Sequence, residues 1–338
     1  MDALSALLRA VKLSGALFYN SRCSAPWCLN APPSSAFLPY VTPGATHIIE
    51  FHYISEGTAY VRVGVETTPL VAGDVVMIPH GDAHVMGAGV GGVVLDGNKA
   101  MPALIAGELF LSQFGGGGEN TGLVCGYLAC DGALIKPVLA GLPRALRVNI
   151  RSDPSGEWLE KTLRHAVEQA AAGAPGSDVI LAHLAEVLFA EVLRRYLLSL
   201  PEGRTGWLAG AGDPAVGRAL AVLHRRPADD WTLDTLAKEA GVSRSVLTEK
   251  FTRFLGQSPM SYLADWRLEL GAEALRSTSR SVQRIANDVG YESEAAFNRA
   301  FKRRFDAPPA RYRRAAREVG PKSDTRPAPA MRRQAGGA

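Results

Sequence analysis

The chain has 338 residues, 47% hydrophobic and 21% charged, with a formal net charge of +4. That length exceeds one comfortable core and the composition excludes wholesale disorder, so two or three globular domains are expected. The charge divides unevenly: residues 1–217 hold 14 Lys+Arg and 19 Asp+Glu, net −5, whereas residues 218–338 hold 23 and 14, net +9. Such asymmetry points to a polyanionic partner for the C-terminal third.

No run of 18 uncharged apolar residues occurs, so neither a membrane-spanning helix nor a membrane partner is expected. Asp2, Arg9 and Lys12 interrupt the N-terminal apolar residues, and no signal-peptide core follows. Four cysteines are too few for a disulfide framework in a chain of this size. A cytoplasmic protein is expected.

In chain order, residues 3–13 predict a short amphipathic helix with Leu4, Leu7, Leu8 and Val11 on one face and Gly15 as its stop. From about 16 to 98 the pattern is short alternating and β-branched runs broken by Gly, Pro, Asp and Thr, which predicts antiparallel sheet in a barrel or sandwich. GGGG (115–118) reads as a flexible loop and GLVCGYLAC (122–130) as one more strand. After Pro154 the period becomes helical, through WLEKTLRHAVEQAAA and then residues 178–200. The stripe Leu181, Leu184, Leu188 and Val192 suits either a partner subunit, making a homodimer, or the chain's own core. RTGWLAGAGD (204–213) reads as a Gly-rich hinge, helices follow to about 317, and residues 318–338 are expected to be disordered. The domains expected are therefore 1–150, a helical linker or dimerisation segment at 151–203, and an all-α unit at 214–317.

The all-α unit contains a repeat of about 50 residues. LAKEAGVSRSVLTEKFTRFLGQSPMSY (236–262) aligns with IANDVGYESEAAFNRAFKRRFDAPPARY (285–312). Ala237 and Gly241 match Ala286 and Gly290; after a one-residue insertion, Leu247, Phe251, Pro259 and Tyr262 match Phe297, Phe301, Pro309 and Tyr312. The alanine permits close helix crossing and the glycine permits positive φ at the turn, so each repeat predicts two helices joined tightly. Ser243 and Ser293 suit the N-caps of the second helices. Between the repeats, Ser258-Pro259 opens a helix of about 18 residues, roughly 27 Å long. That strut supplies much of the 34 Å or so separating successive major grooves.

Residue 299 then points away from the Phe297/Phe301/Phe305 stripe, as Glu249 does in the first repeat. Arg299 suits guanine O6 and N7, and a carboxylate suits cytosine N4. Arg244, Ser245, Thr248, Glu294, Ala295 and Asn298 are the other candidates to read base edges. Arg253, Lys302, Arg303, Arg304, Arg311 and Arg313 suit phosphates. These residues, with GQSPMSYLADWRLELGAEAL and PPARYR, make 214–317 resemble the tandem helix-turn-helix domain of AraC/XylS-family transcription regulators. The resemblance implies binding to double-stranded promoter DNA and activation by contact with RNA polymerase. Asp306 stands where that family usually has glycine, and Asp tolerates the left-handed conformation next best.

VAGDVVMIPHGDAH carries Gly73, Pro79, Gly81 and His84 in the spacing of the second cupin motif, and Glu50 precedes Gly57 as at the end of the first. The usual His-x-His upstream of that glutamate is missing. The N-terminal half resembles the cupin-containing branch of the same regulators, which implies an α+β multidomain chain with a cupin-like barrel as sensor. Glu50 and His52 share a strand face and with His84 suit an effector pocket; a metal site short of its usual ligands and purely structural histidines are the alternatives, and no metal cofactor is expected. Cys23, Cys28, Cys125 and Cys130 are redox candidates or inert buried thiols. The function expected is a DNA-binding regulator, not an enzyme, that responds to a small molecule or oxidant; a metal-dependent cupin enzyme carrying a DNA-binding domain is the alternative.

Overall fold

The computed structural model describes residues 2–38, 45–99 and 111–319. The expected disordered tail lies, from residue 320 onward, outside the described residues.

Eleven strands among the described residues form two sheets. One has six, in the order β11 (Leu146–Asn149), β6 (Asp74–Ile78), β3 (His47–Glu56), β10 (Asn120–Cys130), β1 (Ser14–Ser24), β9 (Leu111–Gly115). The other has five: β5 (Glu66–Val71), β4 (Thr58–Val63), β7 (His84–Ala88), β2 (Trp27–Ala31), β8 (Val93–Asp96). Pairing is antiparallel except for β1/β9 and β2/β8, which run parallel. Alternation in a sequence marks faces but not strand direction, so the purely antiparallel expectation needed this correction.

β3 explains the layering. Its residues are buried on both faces: Ile49, Phe51 and Tyr53 face a helical layer, while Glu50, His52 and Ile54 face the other sheet. The space between the sheets is filled by Cys23, Trp27, Val61, Leu70, Met86, Leu123 and Cys125 among others. The helical layer is α1 (Ala3–Val11), α2 (Gly132–Leu139), α3 (Pro154–Ala171) and α4 (Ser177–Ser199). Leu181, Leu184, Leu188 and Val192 are at most 8% exposed and join this chain's own core. Exposed apolar side chains of α3 and α4 are instead Trp158, Val179, Ile180, Val187 and Leu198.

Two local expectations are corrected. Lys12, at φ 51, closes α1, not Gly15. Gly15 lies inside β1 where α4 crosses so closely that a Cβ would meet Ala182 O at 2.6 Å. The GGGG segment is pinned to the chain between β1 and β2, with Gly116 N donating to Ser24 O (2.9 Å) and Gly118 N to Ala25 O (2.8 Å).

The C-terminal part is helical. The expected hinge contains a helix, α5 (Trp207–Gly212), whose Trp207 is 2% exposed. α6 (Pro214–Arg225) follows, then the first repeat, α7 (Leu233–Ala240) and α8 (Arg244–Leu255). The strut α9 (Pro259–Ser277) has 19 residues, about 28 Å. The second repeat is α10 (Val282–Asp288) and α11 (Glu294–Phe305), followed by α12 (Pro309–Val319). Both turns form as the repeat predicts. Gly241 and Gly290 have φ 71 and 88, Ala237 and Ala286 are buried, and Ser243 and Ser293 accept from Val246 N and Ala296 N. Asp306 takes the left-handed conformation, φ 54.

Candidate nucleic-acid interface and buried sensor centre

The two second-helix surfaces are built alike. Leu247 and Phe251 anchor α8, Phe297 and Phe301 anchor α11, and all four have no exposed surface. Opposite those anchors, Glu249 and Arg299 are both exposed. Ser245 and Ala295 are exposed beside them, and Thr248, Glu294 and Asn298 are half-buried. Arg244 is exposed but paired with Asp234 at 3.1 Å, an ion pair open enough to exchange for another partner.

The cationic candidates divide. Arg253, Lys302, Arg303, Arg304 and Arg311 are exposed and Arg313 is half-buried, but only some are free of a partner among the described residues. Arg304 is drawn back to Glu269 on the strut (2.7 Å), and Arg313 donates to the Arg280 carbonyl. Those two help to hold the second repeat together. Sequence spacing could not separate them, because the acceptors lie 35 and 33 residues away.

Several supporting residues were missed from the sequence. Arg218 donates to the Ala240 carbonyl with Nε and Nη2 (3.0 and 2.6 Å), closing the end of α7. Arg267 does the same for Pro227 O and Asp229 O (2.7 and 2.8 Å). His224, Trp207 and Tyr262 form a buried group. Trp207 Nε1–H donates to the Tyr262 oxygen (2.9 Å), leaving the phenol proton for His224 Nε2 (2.7 Å). Burial pushes His224 down to about 3.

Inside the barrel, Glu50, His52 and His84 come together, each at most 3% exposed. Their hydrogen bonds can be assigned by elimination. His84 Nδ1 faces the Asp82 carbonyl (3.0 Å), which only accepts, so Nδ1 carries the proton. A neutral His84 then accepts at Nε2 from His52 Nε2–H (2.7 Å). His52 Nδ1 is left as an acceptor for the Cys125 thiol (2.8 Å). Every proton in this chain has one place, and burial agrees: it lowers both imidazoles and raises Cys125. Burial also raises Glu50 to about 8, and its Oε1 has no hydrogen-bond partner. Cys23 and Cys130 are buried and pushed up to about 11 and about 12, while Cys28 is half-buried.

The trio also bears on the metal expectation. Its ligand atoms lie within 4.8 Å of one another, and two imidazoles with one carboxylate suit zinc or a similar divalent ion. An ion would satisfy the orphaned Glu50 oxygen. His52, two residues after Glu50, supplies one imidazole where the usual His-x-His is missing. The residues therefore fit a metal, and Glu50, His52 and His84 would hold it.

A two-sheet barrel joined to twin, outward-facing helix-turn-helix units defines a two-part DNA-binding regulator. The comparisons agree: the cupin family model matches residues 2–198 and a helix-turn-helix domain model matches residues 236–315. The chain belongs to the cupin-bearing AraC-like transcriptional regulators. It is 33% identical over 273 residues to an AraC-like transcription regulator of Streptomyces lividans, covering 80% of this chain and 88% of that one. It is 28% identical over 327 residues to the regulator AlkR of Acinetobacter baylyi, covering 93% and 99%. The solved DNA-binding domain of AdpA, in complex with a target DNA, is 27% identical with a TM-score of 0.32, covering 33% of this chain and all of that one.

Proposed function

We propose that this regulator acts in the cytoplasm, binds promoter DNA through both repeats in successive major grooves, and activates transcription by contacting RNA polymerase. Ser245, Thr248 and Glu249 on α8, and Glu294, Ala295, Asn298 and Arg299 on α11, approach base edges, with Arg244 released from Asp234. Arg253, Lys302, Arg303 and Arg311 neutralise phosphates. The observation that carries this reading is the matched exposure of Glu249 and Arg299 opposite fully buried anchors, at the two ends of a 19-residue strut.

The barrel is the sensor, and the Cys125–His52–His84 chain is its centre. Hypochlorite converts a thiol to a sulfenic acid with chloride leaving, so at Cys125 the short S–H donor to His52 Nδ1 would give way to a longer S–O–H group, and chemistry at one sulfur would disturb two strands. The closely packed trio favours such a small reactant, or an ion, over a bulky effector, and counts against an enzyme needing room for substrate. A homodimer would cover the exposed outer face of α3 and α4 around Trp158 and Leu198. The test is footprinting on the gene's own upstream region with and without hypochlorite. Two protected segments that change with the oxidant support the proposal; a footprint indifferent to it removes the oxidant reading and leaves the DNA reading standing.

A further inference from the structure

The strand that carries Cys125 ends at the DNA-binding half. Six residues on, about 20 Å at strand rise, Asp131 opens α2, its Oδ1 accepting from Ala133 N (2.9 Å). Its other oxygen, Oδ2, accepts from Arg276 Nη2 on the last turn of the strut α9. The two side chains are only 11% and 19% exposed. The same guanidinium donates through Nη1 to the Tyr312 hydroxyl of α12 and lies 5.8 Å over its ring. Tyr312 in turn meets Phe301 edge-on (5.3 Å) and packs on Phe305 (5.4 Å), the inner side of α11. On the outer side of α11 stands Arg299.

Among the described residues, a second polar bridge from the N-terminal half to the strut, Lys12 to Glu273 at 3.5 Å, is 74% exposed at the lysine and contributes little. The Asp131–Arg276 pair is different in kind. Parting it leaves a mostly enclosed charge unpaired, so it favours being fully made or fully broken.

We infer that Asp131 and Arg276 couple the barrel to the second reading helix. With the pair made, the barrel grips the far end of the strut and, through Tyr312, holds α11 in a resting orientation. A shift of β10 parts the pair and frees the second repeat to seat in its own groove. The inference rests on the C-terminal repeats being the DNA reader, and it needs no knowledge of the signal.

Asp131→Asn is the discriminating variant, because asparagine caps a helix as well as aspartate does while removing the charge that holds Arg276. The full-length protein, without effector, is titrated onto the promoter fragment that the wild type protects. Asp131→Asn is expected to bind about tenfold more tightly than wild type, a difference of about 1.4 kcal/mol, with faster deuterium uptake over residues 270–277. Arg276→Gln is expected to give the same gain, and the double variant no more than either alone. Unchanged or weaker binding by Asp131→Asn, or gains that add in the double variant, would overturn the inference. A wild-type chain that protects no DNA at all would overturn the DNA reading beneath it instead.

Discussion

Cys125 Sγ stands 2.8 Å from His52 Nδ1 across the ladder that pairs β10 with β3. Because the rest of the chain of hydrogen bonds fixes Nδ1 as an acceptor, the thiol is its donor, and the two strands share one proton. Cys125→Ser keeps a donor at that place but no oxidisable sulfur. It should fold with stability within about 1 kcal/mol of wild type, one ordinary hydrogen bond exchanged for another. Any response of its DNA affinity to hypochlorite should vanish. Cys28→Ser, at a half-buried thiol that donates to Asn30 Oδ1, should keep the response. Titrating both variants with DNA before and after oxidant separates the two sites, and a Cys125→Ser protein that still responds would remove this cysteine from sensing.

His224 links folding to pH. Its folded value of about 3 lies below the ordinary 6.5, so between those limits the unfolded chain binds the proton and the folded chain does not. Stability therefore falls as pH drops below 6.5, at up to about 1.4 kcal/mol per pH unit from this residue. His52 and His84 act in the same direction. His224→Phe, stacked between Trp207 and Trp266, removes one titrating group. Urea unfolding of the full chain at pH 7 and pH 5 should show a smaller acid loss in the variant than in wild type. An equal loss would mean that His224 is protonated in the folded state.

The two turn glycines should not be equally sensitive. At Gly290 (φ +88) a Cβ would lie 2.7 Å from Ala228 Cα and 2.9 Å from Ala228 O, backbone that cannot move aside. At Gly241 (φ +71) the nearest atom is Arg218 Nη2 at 3.2 Å, the end of a flexible side chain. Gly290→Ala should cost clearly more than the ~1 kcal/mol of a strained φ alone, and Gly241→Ala about that much. Thermal or urea midpoints rank them directly, and the reverse order would contradict the packing at Ala228.

Much of the C-terminal half was legible because its signals are local. The Ala-x-x-x-Gly spacing, the serine caps, the phenylalanine stripes and Asp306 each act within one or two turns of helix, and each took the predicted form. The barrel was legible as alternation and as the spacing of Glu50, Gly73, Pro79, Gly81 and His84, but not in its strand pairing. Which strands run parallel, and that Cys125 faces His52, depend on register between segments 73 residues apart. The α4 stripe was ambiguous for the same reason: a helix shows its apolar face in sequence, but not whether its own sheet or another chain covers it. That Arg304 and Arg313 also bond acceptors 35 and 33 residues away was hidden for the same reason.

Methylation interference at guanine N7, carried out on the protected promoter fragment with wild-type protein and with Arg299→Ala and Lys302→Ala, shows whether α8 and α11 read two grooves. Two clusters of interfering guanines are expected, about one helical turn apart. Arg299→Ala should lose one guanine from one cluster and about 1–3 kcal/mol of discrimination there. Lys302→Ala should keep both clusters while weakening all sequences alike and lowering the salt slope by about 1. A single cluster, or an Arg299→Ala protein that weakens evenly on every sequence, would contradict the claim that two outward helices read adjacent grooves.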